Sequence, residues 1–269
     1  MSLTLLLLLA LEASAPAGMA LIPAGDFWMG RNHLWLIEEI GWQALDRMDD
    51  RPLHLVYLDA FYIDHREVSN AQYAEFVEAA DHRPPYHWAK GDVPREAPGL
   101  PVYNVSWDDA NAYCTWASKR LPSEAEWEKA ARGGIEGAAH PWGDDLEPSD
   151  EAEVEVEAES DEEPPKLAHY GYPEGPTETG RFAPNGYGLH DVIGNVWEWV
   201  ADGYELHYYS VSPRDNPGGP AGAPYRVYRG GSWSDYDDRL LSVFYRNFTD
   251  PATRASTIGF RCASTANSE

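Results

Sequence analysis

Ser106 stands three residues before Asp109, and Ser123 three before Glu126, so two helix-opening capping boxes follow one another in a short stretch of chain. In each box the serine hydroxyl accepts an orphan N–H of the first turn, and the acidic side chain returns to the serine's own N–H. Beyond Ser106, Ala110, Tyr113, Cys114 and Ala117 recur at helical spacing, which turns Cys114 toward the interior. Beyond Ser123, Trp127, Ala130 and Ala131 form an apolar stripe, and Gly133-Gly134 stops it. Helices opened and closed so closely are short. Ser69-Asn70 can cap another, with Ala71, Ala74, Phe76, Val77 and Ala80 roughly at helical spacing. The β-like stretches are short too: Ala20 to Gly30 runs into a glycine turn, and His54 to Tyr62 alternates with β-branched and aromatic residues.

Composition points the same way. A content of 11 Trp, 16 Tyr, 23 Gly and 21 Pro in 269 residues suits neither a helical bundle nor a doubly wound α/β protein. Short elements joined by much irregular chain are expected, and 43% hydrophobic residues suffice for a sizeable core. The formal charge is −25, but Asp144 to Glu163 carries twelve of the acidic residues and no basic one, leaving about −13 on the rest. A surface of that sign disfavours nucleic acid and anionic membrane as partners. The acidic stretch 144–165, closed by Pro164-Pro165, reads as a solvated loop inserted in the domain, because like charges at every second residue oppose strand pairing.

Leu3 to Leu11 is an apolar run too short to span a bilayer, so no transmembrane segment is expected. Small residues follow it, and Ala15-Pro16-Ala17 before Gly18 fits a signal-peptidase site. Residues 1–17 are therefore expected to be a signal peptide, although no Lys or Arg precedes the run, and 18–269 the mature domain. The expected location is periplasmic or extracellular, with a cytoplasmic protein as the alternative.

Six fragments then bear on family. They are IPAGDFWMG near the start, EVSNAQYAEF from Glu67, the Pro101 to Gly134 stretch, NGYGLHDVIGNVWEW from Asn185, RVYRGGSW from Arg226 and IGFRC from Ile258. In this order they resemble the formylglycine-generating-enzyme, or sulfatase-modifying-factor, family over about residues 20–263. The resemblance implies one α+β domain related to the C-type-lectin fold, with little regular secondary structure. It also implies a disulfide between Cys114 and Cys262. Such a bridge closes a long loop, would stabilise by roughly 2–4 kcal/mol, and suits an oxidising compartment. Two separate buried thiols are the other reading.

Oxidases of this family hold copper on two cysteines just beyond the GGS motif, where a soft thiolate pair suits Cu(I). Here the corresponding places beyond Ser232 are Asp235 and, allowing for a short length difference, Leu240 or a neighbour, and the chain has no cysteines besides Cys114 and Cys262. Copper is therefore not expected. The resemblance further places Trp197 and Ser232 in the family's substrate groove, with Asp235, Asp237 and Asp238 on its rim as candidates for a cationic peptide or a hard metal ion. Solvated loop carboxylates and a core tryptophan are the plainer alternatives. Asp191, Gly194, Val196 and Glu198 correspond to a family calcium site, and two hard carboxylates alternating with backbone carbonyls suit Ca²⁺. Glu198 pairing locally is the competing reading there.

The nine histidines show no HExxH spacing, and neither a GxSxG elbow nor a phosphate loop is found. The expected function is a binding or accessory module that does not oxidise, with a peptide or protein as ligand. A family enzyme acting on sulfatase-type cysteine peptides through other residues is the alternative, and a variable recognition protein on the same fold is a third reading. Diversity confined to 234–257 among sibling chains would single out the third. Enzyme activity and oligomeric state are open at this level.

Overall fold

The computed structural model describes residues 15–32, 48–88, 97–144, 146, 167–172 and 174–266. Residues 1–14, and all of 147–165 in the acidic stretch, lie outside them.

Among the described residues, nine short strands and three α-helices make an α+β domain of small sheets. Strand β1 (Met19–Ile22) pairs with β4 (Phe61–Asp64), and β4 with β9 (Ala263–Thr265), so the two ends of the domain share one antiparallel sheet. Strands β2 (Gly25–Met29) and β3 (His54–Leu58) form an antiparallel pair. The predicted stretches around Ala20 and His54 are thus each divided between two sheets. Pro23, which has no N–H to give a ladder, falls in the first break. The third sheet is ordered β7 (Asn247–Thr249), β6 (Arg226–Arg229), β5 (Trp197–Gly203), β8 (Ile258–Gly259), with only the β5–β8 pair parallel.

All three helices carry capping boxes. In α1 (Asn70–Ala80) Ser69 and Gln72 form the box, in α2 (Trp107–Trp116) Ser106 and Asp109, and in α3 (Glu124–Ala131) Ser123 and Glu126. Helix α1 buries Asn70, Tyr73 and Phe76, whereas Ala71 and Ala80 are exposed, so the aromatic pair rather than the alanine series sets its inner face. Tyr73 stacks on Tyr113 of α2 at 5.7 Å, and Phe260 meets both rings edge-on. Into this cluster Cys114 of α2 sends its disulfide to Cys262.

Helix α3 is buried on every side, its four charged residues included. Glu124 accepts from Arg229 at 2.6 Å and from Arg246 at 2.7 Å, and Glu128 from Arg229 and Arg132, both at 2.7 Å. Burial alone would raise both carboxyls, yet the guanidinium charges outweigh it and hold them below the usual carboxylate range. Lys129 donates to the carbonyls of Pro23 and Gly25, tying α3 to the turn before β2.

Asp202 of β5 accepts the Glu124 N–H at 2.8 Å. Burial, then the Glu124 charge, push its carboxyl from the ordinary 3.8 up to about 8. Between those values the folded chain holds a proton that the unfolded chain has released, so Asp202 makes stability fall as pH rises across that window. Asp202→Asn keeps an oxygen acceptor without the charge. Urea unfolding followed between about pH 5 and pH 7.5 should show a shallower decline for the variant. An identical decline in both proteins would remove Asp202 as its source.

Candidate functional site

Gly230-Gly231 ends β6 with two residues at positive φ, and the turn delivers Ser232 to the start of β5. A Cβ on Gly230 would lie 2.9 Å from the Val192 carbonyl, which is why the approach is made by glycine. Ser232 is fully buried, and both its hydroxyl and its N–H donate to Asp235 Oδ2, at 2.6 and 2.9 Å. The Trp197 side chain also hydrogen-bonds the Asp235 carboxyl. Burial raises that carboxyl, and the bonds from Ser232 and Trp197 oppose the rise. Trp197 is itself buried, edge-on to Tyr228 at 5.2 Å, and Leu240 packs against the same apolar cluster. The structure therefore brings Trp197, Ser232 and Asp235 together, the first two as a floor and Asp235 half-exposed above them.

Asp237 and Asp238 do not join this group. Asp237 is bonded to Arg239, two residues along, which lowers its carboxyl, and Asp238 is exposed. The surface beside Asp235 is aromatic instead: Tyr236 is 71% exposed and lies over Gly171, and half-buried Trp233 donates to Ser256 O at 3.4 Å.

The four residues suggested for calcium lie on the chain leading into and starting β5, where Gly194 N–H donates to Gly230 O at 2.9 Å. Gly194, at positive φ, passes so close to His169 that a Cβ would sit 2.4 Å from its carbonyl. Asp191 Oδ2 accepts from Gly180 N–H, while its Oδ1 is buried with no hydrogen-bond partner. Glu198 is engaged more fully. Arg261 donates to both of its oxygens at 2.7 Å, and Trp127 Nε1 donates to Oε2 at 2.8 Å.

Sequence reasoning assigned no role to Glu67, which reaches this spot from the segment before α1. It accepts from Asn195 at 3.1 Å, and its Oε1 is buried and unpartnered like Asp191 Oδ1. Burial, then the charges of Asp191 and Glu198, raise Glu67 well above the usual range. The Arg261 charge opposes the rise at Glu67 and at Asp191, and its guanidinium is paired with Glu198. The unpartnered Asp191 oxygen suits Ca²⁺, and Asp191, Glu198 and the Gly194 and Val196 carbonyls are the groups that would hold it. Among the described residues no group of three or more His, Cys, Asp or Glu side chains is placed to hold a metal.

Residues 9–266 match the family described as "Sulfatase-modifying factor enzyme 1-like domain". The chain is 33% identical to the formylglycine-generating enzyme of Streptomyces coelicolor, over 93% of this chain and 90% of that protein. It is also 32% identical to the inactive C-alpha-formylglycine-generating enzyme 2 of Mus musculus, over 95% and 88%. Among solved structures, PvdO from Pseudomonas aeruginosa superposes with a TM-score of 0.70 at 27% identity, covering 92% of this chain and 94% of that one.

Proposed function

The chain belongs to the sulfatase-modifying-factor family, and on that premise we propose that it is an exported binding or accessory domain that recognises a peptide without oxidising it. One observation carries this reading. Where the family resemblance puts a metal-binding thiolate, a carboxylate stands, fastened by Ser232 and Trp197, and the second position falls at Leu240, packed among apolar side chains, or at a neighbour that is not cysteine either. Neither group offers the soft ligand that Cu(I) requires. The similarity to a relative named as inactive supports the same reading.

Export is supported by the buried Cys114–Cys262 bridge and the apolar N-terminal run. Among the described residues no helix is long and apolar enough to cross a membrane.

The floor under Asp235 leaves a half-exposed acceptor beside Tyr236 and Trp233, a pairing suited to an extended peptide carrying an N–H donor or a cation. Equilibrium dialysis with a fluorescent Cys-X-Pro-X-Arg peptide should show retention by the wild-type chain and a roughly tenfold loss in Asp235→Ala. Absence of retention by the wild-type chain would dispose of the peptide-binding half of the proposal.

Calcium belongs to the proposal as a structural ligand held by Asp191, Gly194, Val196 and Glu198. At a hundredfold excess over Kd a ligand of the folded state adds about 2.7 kcal/mol, so Ca²⁺ should raise Tm by about 5 °C or more over chelator. Asp191→Ala should erase that increment, and it is a better probe than Glu198→Ala, which would strand Arg261. Superimposable melting curves for the wild-type chain in Ca²⁺ and in chelator would count against the site.

A further inference from the structure

A cleft of about 920 Å³ opens on another part of the domain, and none of Trp197, Ser232 or Asp235 lines it. Its charged groups are of both signs. Lys119 is paired with Asp64 at 2.5 Å, and Glu67 accepts from Asn195. Arg66 and Glu178 also line the cleft, both exposed, and neither has an ion-pair or hydrogen-bond partner among the described residues. They are not paired with each other.

Each of the two rests against a glycine. The Arg66 side chain lies flat on Gly180, so close that a Cβ at 180 would be 2.3 Å from its Nε. Glu178 lies in the same way on Gly99, its Oε1 3.3 Å from where a Cβ would be. The segment between them is pinned, since Thr179 N–H donates to Gly99 O at 3.0 Å and Gly180 N–H donates to Asp191. Two opposite charges, not paired with each other, thus stand at one cleft.

His65 and His190 line the same cleft. Each ring has Nδ1 against a carbonyl, Gly188 O at 2.8 Å and Phe182 O at 2.7 Å, so Nδ1 carries a donating hydrogen. A simple anion entering here would meet Glu178, and a simple cation would meet Arg66. A ligand bearing both charges satisfies both, and the volume holds several residues of peptide.

We propose that this cleft is a second binding site, for a short peptide with free termini, whose carboxylate pairs with Arg66 and whose ammonium pairs with Glu178. The fork of the guanidinium suits a carboxylate in two-point contact, and the Glu178 carboxylate suits an ammonium.

The test is an NMR titration of the folded chain with triglycine, N-acetyl-triglycine and triglycinamide, read at the His65 and His190 ring resonances. Triglycine should bind, and removal of either terminal charge should weaken binding about tenfold. Arg66→Gln should weaken triglycine and N-acetyl-triglycine about tenfold and leave triglycinamide unchanged. Glu178→Gln should weaken triglycine and triglycinamide and spare N-acetyl-triglycine. Both side chains are exposed, so the variants should fold, and the melting curve confirms it. The proposal is overturned by no perturbation at about 20 mM triglycine, or by triglycine affinity that neither substitution changes.

Discussion

Glu124→Ala should lower stability by roughly 3–5 kcal/mol, the cost of stranding a buried charge. One carboxylate there serves two arginines: Arg229 donates to Oε1, and Arg246 to Oε1 and Oε2. Arg229 and Arg246 have fully buried side chains, so water cannot replace what alanine removes. Arg229 retains Glu128, whereas Arg246 loses both of its Glu124 contacts and is left with the carbonyls of Asp49 and Glu205 and the neighbouring Asp49 charge. Total stabilities of about 5–15 kcal/mol are usual, so the variant stands near the limit of folding. Asp26→Ala is the control, because its pair with Arg214 is 45% and 54% exposed and should be worth under about 1 kcal/mol. Urea midpoints compare the two. Equal, small losses in both would mean that the α3 network holds little of the fold.

Replacing both Cys114 and Cys262 with alanine should cost about 2–5 kcal/mol. The bridge spans 148 residues and ties α2 to the chain between β8 and β9, so its loss frees a long loop in the unfolded state. Both residues are fully buried in the Tyr73, Tyr113 and Phe260 cluster, and alanine also leaves a void there. Peptide mapping without reductant should recover a single linked Cys114–Cys262 pair. Recovery of two alkylatable thiols from exported protein, or an unchanged urea midpoint in the double variant, would contradict this account.

What the sequence revealed was local. The capping boxes at Ser106 and Ser123 need partners only three residues away, and both helices stand where those residues place them. The face of α2 that carries Cys114 was legible for the same reason, since Ala110, Tyr113 and Cys114 are neighbours along one helix. Hidden from view was the burial of charge. Glu124 and Glu128 look like solvent-facing residues of α3 until Arg229 and Arg246, about a hundred residues on, fold over them. Glu67 was missed likewise, because Asn195, 128 residues away, is what turns it inward. At the groove, three rim aspartates close in sequence seemed equivalent. Local geometry divides them, for Ser232 claims Asp235 and Arg239 claims Asp237.

The central claim is that a family scaffold with Asp235 at one thiolate position and no cysteine at the other does not turn a cysteine into formylglycine. Its most direct measurement is the mass of a Cys-X-Pro-X-Arg peptide after incubation with the purified chain, Cu(I) and O₂. With no thiolate pair to hold the soft ion, and with Cys114 and Cys262 joined in the core, the peptide mass should be unchanged. A loss of about 18 Da, the mass of a thiol-to-aldehyde conversion, that requires this protein and its Asp235 would show an oxidase working without the cysteine pair, and would contradict the account.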